Sequence, residues 1–242
     1  MIHCAAIADV DQCERDQETA WQVNTKLPGL VASACARAEV ALIHISTDAV
    51  FDGMRSGAYA ESDEPNPIGV YAKTKSAAEQ VVLSANPRAV VARVNFYGWS
   101  VSGTRSLAEF FVGNLRAGRP VRGFSDVTFC PMFVQDLASL LISMLISGLS
   151  GLYHAVGPEP MTKYDFGIRI AREFDLDAHL ISAASVKASG LSARRSHNLN
   201  LAVHKLSTAL QTPLPDFSTG LASFRAQYEQ GYPQQLMSYQ QS

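Results

Sequence analysis

Apolar residues gather in three short runs, and the first two end in polar tips. Ala41-Leu42-Ile43-His44-Ile45 leads into Ser46-Thr47-Asp48, and Ala89 to Val94 leads into Asn95-Phe96-Tyr97-Gly98. The third run, Leu152 to Val156, lies between Gly151 and Gly157. Short runs rich in branched side chains predict strands buried on both faces. Elsewhere the apolar positions recur at helical spacing. Ala20, Val23, Leu27, Leu30, Val31 and Ala34 predict a helix over 19–38, which Pro28-Gly29 is placed to kink. Further helices are predicted over 68–84, stopped by Asn86-Pro87, over 107–117, bounded by Gly118 and Pro120, and after Thr162, a good N-cap. Met1 to Ala6 reads as a strand end running into small residues, 121–127 as a short strand, and Gly53 to Pro67 as a polar loop. Strands alternating with helices predict an α/β fold around an open parallel sheet.

Ligands of such sheets gather at the carboxyl ends of the strands. Ser46 and Thr47 stand at one of those ends, and strand alternation points their side chains apart. Tyr71 and Lys75 are four apart, so on the predicted helix they share a face. A nearby ammonium lowers a phenol's pKa, which would make Tyr71 a usable acid near neutral pH. Alone, a Tyr and a Lys at this spacing are most often a surface pair. The hydroxyl-bearing strand end upstream makes a site the better reading.

The fuller wording carries a resemblance. His44 to Gly53, then Tyr59-Ala60-Glu61, Asp63, Pro65, Pro67 and Tyr71-Ala72-Lys73-Thr74-Lys75, resembles the extended short-chain dehydrogenase/reductase superfamily. Within it, the wording looks like the dTDP-4-dehydrorhamnose reductase branch. The non-catalytic regulatory beta subunit of methionine adenosyltransferase is similar to that branch as well. The resemblance implies an NAD(P)-binding Rossmann-like, doubly wound parallel sheet. Residues 1–130 would hold what remains of the dinucleotide-binding part, and 131–242 most of a small substrate-binding α/β part, interleaved with the sheet. It implies a nicotinamide-dependent reduction in which Tyr71 protonates the forming alkoxide, Thr47 hydrogen-bonds the carbonyl, and Lys75 tunes Tyr71 and holds the nicotinamide ribose. Ala5 and Ala6, at the end of the first strand, and Ser46, Asn95 and Phe96 would line the NADP or NAD site with Tyr71 and Lys75. Val23-Asn24 matches the family's Val-Asn pair.

Candidate substrate-binding residues are Val50 and Phe51, after the Ser-Thr-Asp turn, and Arg194 and Arg195. The arginines read equally as phosphate ligands or as a solvated basic pair. Asp136, in a stretch like the family's V-x-D-x-A helix start, is expected to be an N-cap rather than a catalytic acid. His44 is expected to be structural.

Composition narrows the class. The chain has 242 residues, 47% hydrophobic and 17% charged, with net charge −2. That describes a soluble globular protein and gives no reason to expect nucleic acid or a membrane surface as partner. The apolar stretch 136–146 is too short to span a bilayer, and no signal peptide is read at the start. Cys4, Cys13, Cys35 and Cys130 lack metal-ligand spacing, so no metal is expected and the thiols read as those of a cytoplasmic protein.

One feature of the family has no counterpart. The sequence contains neither G-x-G-x-x-G nor G-x-x-G-x-x-G, the turn whose amides hold a cofactor pyrophosphate. The chain reads as starting at the fourth strand of the sheet, leaving its first strand as an apolar edge for a second copy or another protein to cover. Three readings stay open: an N-terminally truncated, impaired reductase of a 4-keto sugar nucleotide; a regulatory or binding subunit like the methionine adenosyltransferase partner; or a sugar-nucleotide epimerase or dehydratase, which Asp48-Ala49 half-fits.

Overall fold

The computed structural model describes residues 1–188 and 196–239. The chain opens with β1 (Ile2–His3), α1 (Val10–Arg15) and α2 (Gln17–Trp21), then a π turn over Gln22–Lys26, α3 (Leu27–Arg37) and β2 (Ile43–Thr47). After a long loop come α4 (Val70–Ala85), β3 (Val90–Val94), β4 (Phe96–Tyr97), α5 (Leu107–Arg116), β5 (Val121–Phe124), β6 (Thr128–Phe129) and β7 (Met132–Phe133). The remainder is α6 (Val134–Ile146), β8 (Gly151–Ala155), β9 (Met161–Thr162), α7 (Lys163–Glu173), β10 (Ile181–Ala184), β11 (Asn198–Leu199), α8 (His204–Leu210), α9 (Phe217–Glu229) and α10 (Tyr232–Ser238). Among the described residues, no helix is long and apolar enough to cross a membrane.

The three apolar runs are the three long strands of one parallel sheet, in the order β1-β2-β3-β8. Their side chains are buried on both faces, as continuous apolar runs require. One face packs on α6 and α8 through Leu137, Leu140, Leu141, Met144 and Leu206. The other packs on α3 and α4 through Ala32, Cys35 and Val82. A second, aromatic core joins α5, α7 and α9, with Tyr97 wedged among Phe133, Phe166, Phe217 and Phe224. Segments on both sides of residue 130 enter each of these two clusters.

The kink expected at Pro28 takes a specific form. Pro28 has no N–H to return to the turn before it, and the backbone widens so that the Leu27 N–H reaches the carbonyl of Gln22. The wide turn carries Asn24 inward. Its side chain exchanges two hydrogen bonds with the backbone of Ile7, at 2.8 and 3.0 Å, and donates to Thr74 of α4 at 3.2 Å. Asp136 is not the N-cap of α6. Phe133 holds that position, and Asp136 lies in the first turn, where a carboxylate complements the helix dipole. Thr162 caps α7 as expected, accepting from the Asp165 N–H at 3.0 Å.

What fixes α4 on the sheet is a buried ion pair. Arg93 on β3 meets Glu79 on α4 through both nitrogens of one fork, at 2.9 and 2.7 Å. Ser46 on β2 donates to the same carboxylate at 2.5 Å. Arg93 also donates to Nε2 of His154 on β8 at 3.3 Å and lies 4.8 Å from the ring centre of Phe51. His154 sends its other nitrogen's hydrogen to the Ala202 carbonyl, and burial beside Arg93 holds its pKa down to about 3, so it stays neutral. Arg93→Met strands Glu79 in the core, and urea unfolding is expected to show a loss of about 3–5 kcal/mol. The double replacement Glu79→Leu with Arg93→Met removes both charges and is expected to recover most of it. A double variant as unstable as the single one contradicts this account.

Candidate active site

β2 delivers Thr47 to the carboxyl edge of the sheet, and the chain turns at once into a 3-10 turn over Asp48–Val50. The Thr47 oxygen caps that turn, accepting from the Ala49 N–H at 3.2 Å. α4 starts across from it, its first N–H, that of Val70, donating to Glu14 at 2.8 Å. Tyr71, Lys75 and Glu79 follow at four-residue spacing on the face turned to the sheet. A cavity of about 260 Å³ lies between, lined by Cys4, Ala6, Ala8, Thr47, Asp48, Tyr71, Lys75, Asn95 and Phe96, with Ile45, Ser46 and Val94 at its base. Tyr71 also walls a smaller cavity of about 120 Å³, reached by Val10, Ala49, Gly69, Val127, Lys163 and Leu199.

Thr47, Tyr71 and Lys75 therefore meet at one cavity, together with Ala6, Ser46, Asn95 and Phe96. Ser46 contributes no free hydroxyl, since its oxygen donates to Glu79 on the α4 side. Ala5 is exposed and lies outside the lining, because β1 stops at His3 and Cys4, Ala6 and Ala8 take the wall. Val50 and Phe51 line neither of these cavities. Both are fully buried, Phe51 stacked on Tyr59 at 4.1 Å, because the 3-10 turn after Thr47 breaks strand alternation and drives them into the core. Arg194 and Arg195 lie outside the described residues. Sequence reasoning passed over the pair Asp48 and Asn95, joined at 2.5 Å inside the cavity. Asp48 directly follows Thr47 and Asn95 ends the next strand, so two adjacent strand tips were the available signal.

The RmlD substrate binding domain family matches residues 1–230. This chain belongs to that family. Among its relatives in the family, the chain is 34% identical over 231 residues to a probable low-salt glycan biosynthesis reductase, Agl14, of Haloferax volcanii, covering 94% of this chain and 77% of that protein. It is 34% identical over 232 residues to the dTDP-4-dehydrorhamnose reductase of Mycobacterium tuberculosis, covering 92% and 75%. It is 31% identical over 229 residues to methionine adenosyltransferase 2 subunit beta of Mus musculus, covering 91% and 68%. The dTDP-4-dehydrorhamnose reductase of Bacillus anthracis, solved in complex with NADP, superposes with a TM-score of 0.87 at 25% identity, over 93% of this chain and 79% of that one. The fold of this RmlD-family chain is thus Rossmann-like α/β with a parallel sheet.

The electrostatics differ from the simple expectation. Lys75 does not pull Tyr71 down. Its ammonium donates to the Ile45 carbonyl at 2.6 Å and lies 3.3 Å from Nε2 of His44. Burial lowers the Lys75 pKa to about 8, with Glu79 and Cys4 opposing. Burial raises Tyr71 to about 12; the Thr47 hydroxyl counters this, and Asp48 and Cys13 add to it. His44, desolvated and facing Lys75, falls to about 2; it remains neutral and reaches His3 at 3.1 Å. A hydroxyl, a phenol that keeps its proton and an ammonium around one cavity can pass a proton to a ligand oxygen.

The signs give a test. Between about 8 and 10.5 the unfolded chain holds more protons on Lys75 than the folded one, so this group makes stability rise with pH there. Between 10 and about 12 the folded chain holds more on Tyr71, and stability falls. Stability measured by urea across pH 8 to 10 is expected to lose its rising component in Lys75→Met. An unchanged profile contradicts the burial of a charged Lys75.

Proposed function

We propose that this chain carries the catalytic machinery of a reductase that acts on the ketone of a nucleotide-linked 4-keto sugar, of the dTDP-4-dehydrorhamnose kind, with NADP or NAD as hydride carrier. The observation that carries the reading is the meeting of Thr47, Tyr71 and Lys75 at one cavity on the carboxyl edge of a parallel sheet. Family membership alongside dTDP-4-dehydrorhamnose reductases supports the substrate class.

In this reading Tyr71 gives its proton to the oxygen of the reduced carbonyl. Thr47 hydrogen-bonds that oxygen and orients it. Lys75, anchored on the Ile45 carbonyl, holds a ribose hydroxyl. The nicotinamide end of a cofactor suits the larger cavity: Cys4, Ala6 and Ala8 allow close approach, and half-exposed Phe96 offers an apolar plane. The bound cofactor would supply the hydride. Ser46 and Asn95 sit at the strand ends beneath it, Ala5 next to its wall. The smaller cavity across Tyr71 is assigned to the sugar, with Lys163 near for a phosphate. No Gly-rich turn is present in these residues for the cofactor pyrophosphate.

The regulatory-subunit reading is weaker, since it does not need the three side chains brought together; the dehydratase reading is weaker because Asp48 beside Thr47 is followed by Ala49 and so only half-fits. We place the protein in the cytoplasm on the strength of its four unpaired cysteines, three of them buried. The free side of β1, which pairs only with β2 among the described residues, is where a second copy, another chain or further sequence would add backbone.

Tyr71→Phe, in the protein that carries this chain, is expected to cut NADPH-dependent reduction of dTDP-4-dehydrorhamnose by about 10²–10⁴ in kcat. Unchanged turnover would end the reading. Residues 1–242 alone are expected to bind NADPH more weakly than micromolar, because each missing charge-assisted hydrogen bond to the pyrophosphate is worth about 1.5–3 kcal/mol. Micromolar affinity by fluorescence titration overturns that part.

A further inference from the structure

We infer that His3, on the first strand, is a positioning residue: acting through the ring of His44, it keeps a bare nitrogen turned to the Lys75 ammonium, and so holds that ammonium charged and in place at the cavity. Its use in catalysis rests on the reading of Lys75 as the holder of the cofactor ribose.

The sheet sets the placement. β1 and β2 run parallel with His3 opposite His44, so the two rings lie side by side on one face, the face that Lys75 of α4 reaches. Their Nδ1 atoms are 3.1 Å apart. The ring centres are 5.4 Å apart and the planes 24° from parallel, so the rings meet edge to edge, nitrogen to nitrogen. Such a contact holds one hydrogen: two would collide, and none would leave lone pair against lone pair.

The charge on Lys75 decides where that hydrogen sits. An ammonium has three hydrogens and no lone pair. One goes to the Ile45 carbonyl at 2.6 Å. The second goes to Nε2 of His44, 3.3 Å away, so that nitrogen must be bare. The third is left for the cavity that Lys75 lines. His44 is buried and neutral, its pKa held down to about 2 by desolvation and by Lys75, so its single hydrogen lies on Nδ1. The acceptor for it, among the described residues, is Nδ1 of His3. Without His3, nothing keeps that hydrogen off Nε2, where a donor would face a donor. Burial has already brought the Lys75 pKa down to about 8, so losing an acceptor leaves much of it uncharged near neutral pH.

The other titratable groups facing Lys75 are Glu79, one turn on along α4, and Cys4, which directly follows β1; both favour its charge. His3 faces Lys75 and His44, and burial and Lys75 hold its pKa below the usual histidine range, so it too is neutral at pH 7 and free to accept.

The test is NMR on the protein that carries this chain, without cofactor or ketone. In ¹⁵N-histidine-labelled protein the ring shifts tell a bare nitrogen from one carrying hydrogen. At pH 7 the parent is expected to show His44 with hydrogen on Nδ1 and a bare Nε2, and His3 with a bare Nδ1. Hydrogen on Nε2 of His44 overturns the inference, and this reading needs no variant to fold. The Lys75 titration is then followed in ¹³C-lysine-labelled protein, its signal identified by its loss in Lys75→Met. His3→Phe keeps a ring and removes the acceptor, and the midpoint is expected to fall by about one pH unit. His3→Asn carries an acceptor oxygen as many bonds from the backbone as Nδ1, and is expected to keep the parent midpoint. A parent-like midpoint in folded His3→Phe, or an equal fall in both variants, overturns the inference. A failure here is separate from a failure of the reductase reading, which the Tyr71→Phe kinetics decide.

Discussion

The register of α4 on the sheet depends on the buried pair Arg93–Glu79. Two ions in a core are costly unless every lone pair and hydrogen is met. Here Ser46 and both nitrogens of one fork of Arg93 meet the carboxylate, while His154 and the face of Phe51 meet the rest of the guanidinium. The buried apolar contacts of α4 are made by alanines and valines, Val70, Ala72, Ala78 and Val82. Those would tolerate a slide of one turn far better than a stranded Glu79 would. Because Tyr71 and Lys75 lie two turns and one turn before Glu79, fixing the carboxylate fixes them over the tip of β2. Packing and chemistry are thus set by the same interaction.

Burial at that tip separates the two titrating groups in opposite directions from the first guess. An exposed Lys–Tyr pair would bring the phenol down. In the pocket, desolvation dominates both: the lysine is pushed down, the tyrosine up. The lysine satisfies itself on backbone and His44, and the tyrosine is left to Thr47 and Asp48. The polar tips of neighbouring strands, Thr47-Asp48 and Asn95, form one hydrogen-bonded set, which is why a parallel sheet with aligned carboxyl ends is a suitable platform for it.

Much of this could be read from the sequence. The strands β2, β3 and β8 are visible because residues buried on both faces give unbroken apolar runs, with ends displaced by two residues at β2 and by one at most at β3 and β8. α4 was visible from its period and from Asn86-Pro87. Tyr71 and Lys75 could be paired because helical spacing fixes which side chains share a face. What failed lies where the chain leaves regular structure. Val50 and Phe51, candidates for substrate contact in the sequence, are turned into the core by a 3-10 turn. Asp136 reads as a cap in the sequence, but Phe133 holds that position and the helix starts at Val134. The π turn at Pro28 and the Asp48–Asn95 contact depend on a widened helix and on strands distant in sequence, which local patterns do not encode.

The most direct measurement is isotopic. NADPH carrying deuterium at its transferable C4 position would be incubated with dTDP-4-dehydrorhamnose and the protein that carries this chain, and the sugar read by NMR and mass. This account predicts one deuterium on the former carbonyl carbon, and none when Tyr71 is replaced by Phe over the same interval. A reduced sugar without label, or label transferred equally well by the Tyr71→Phe protein, contradicts it.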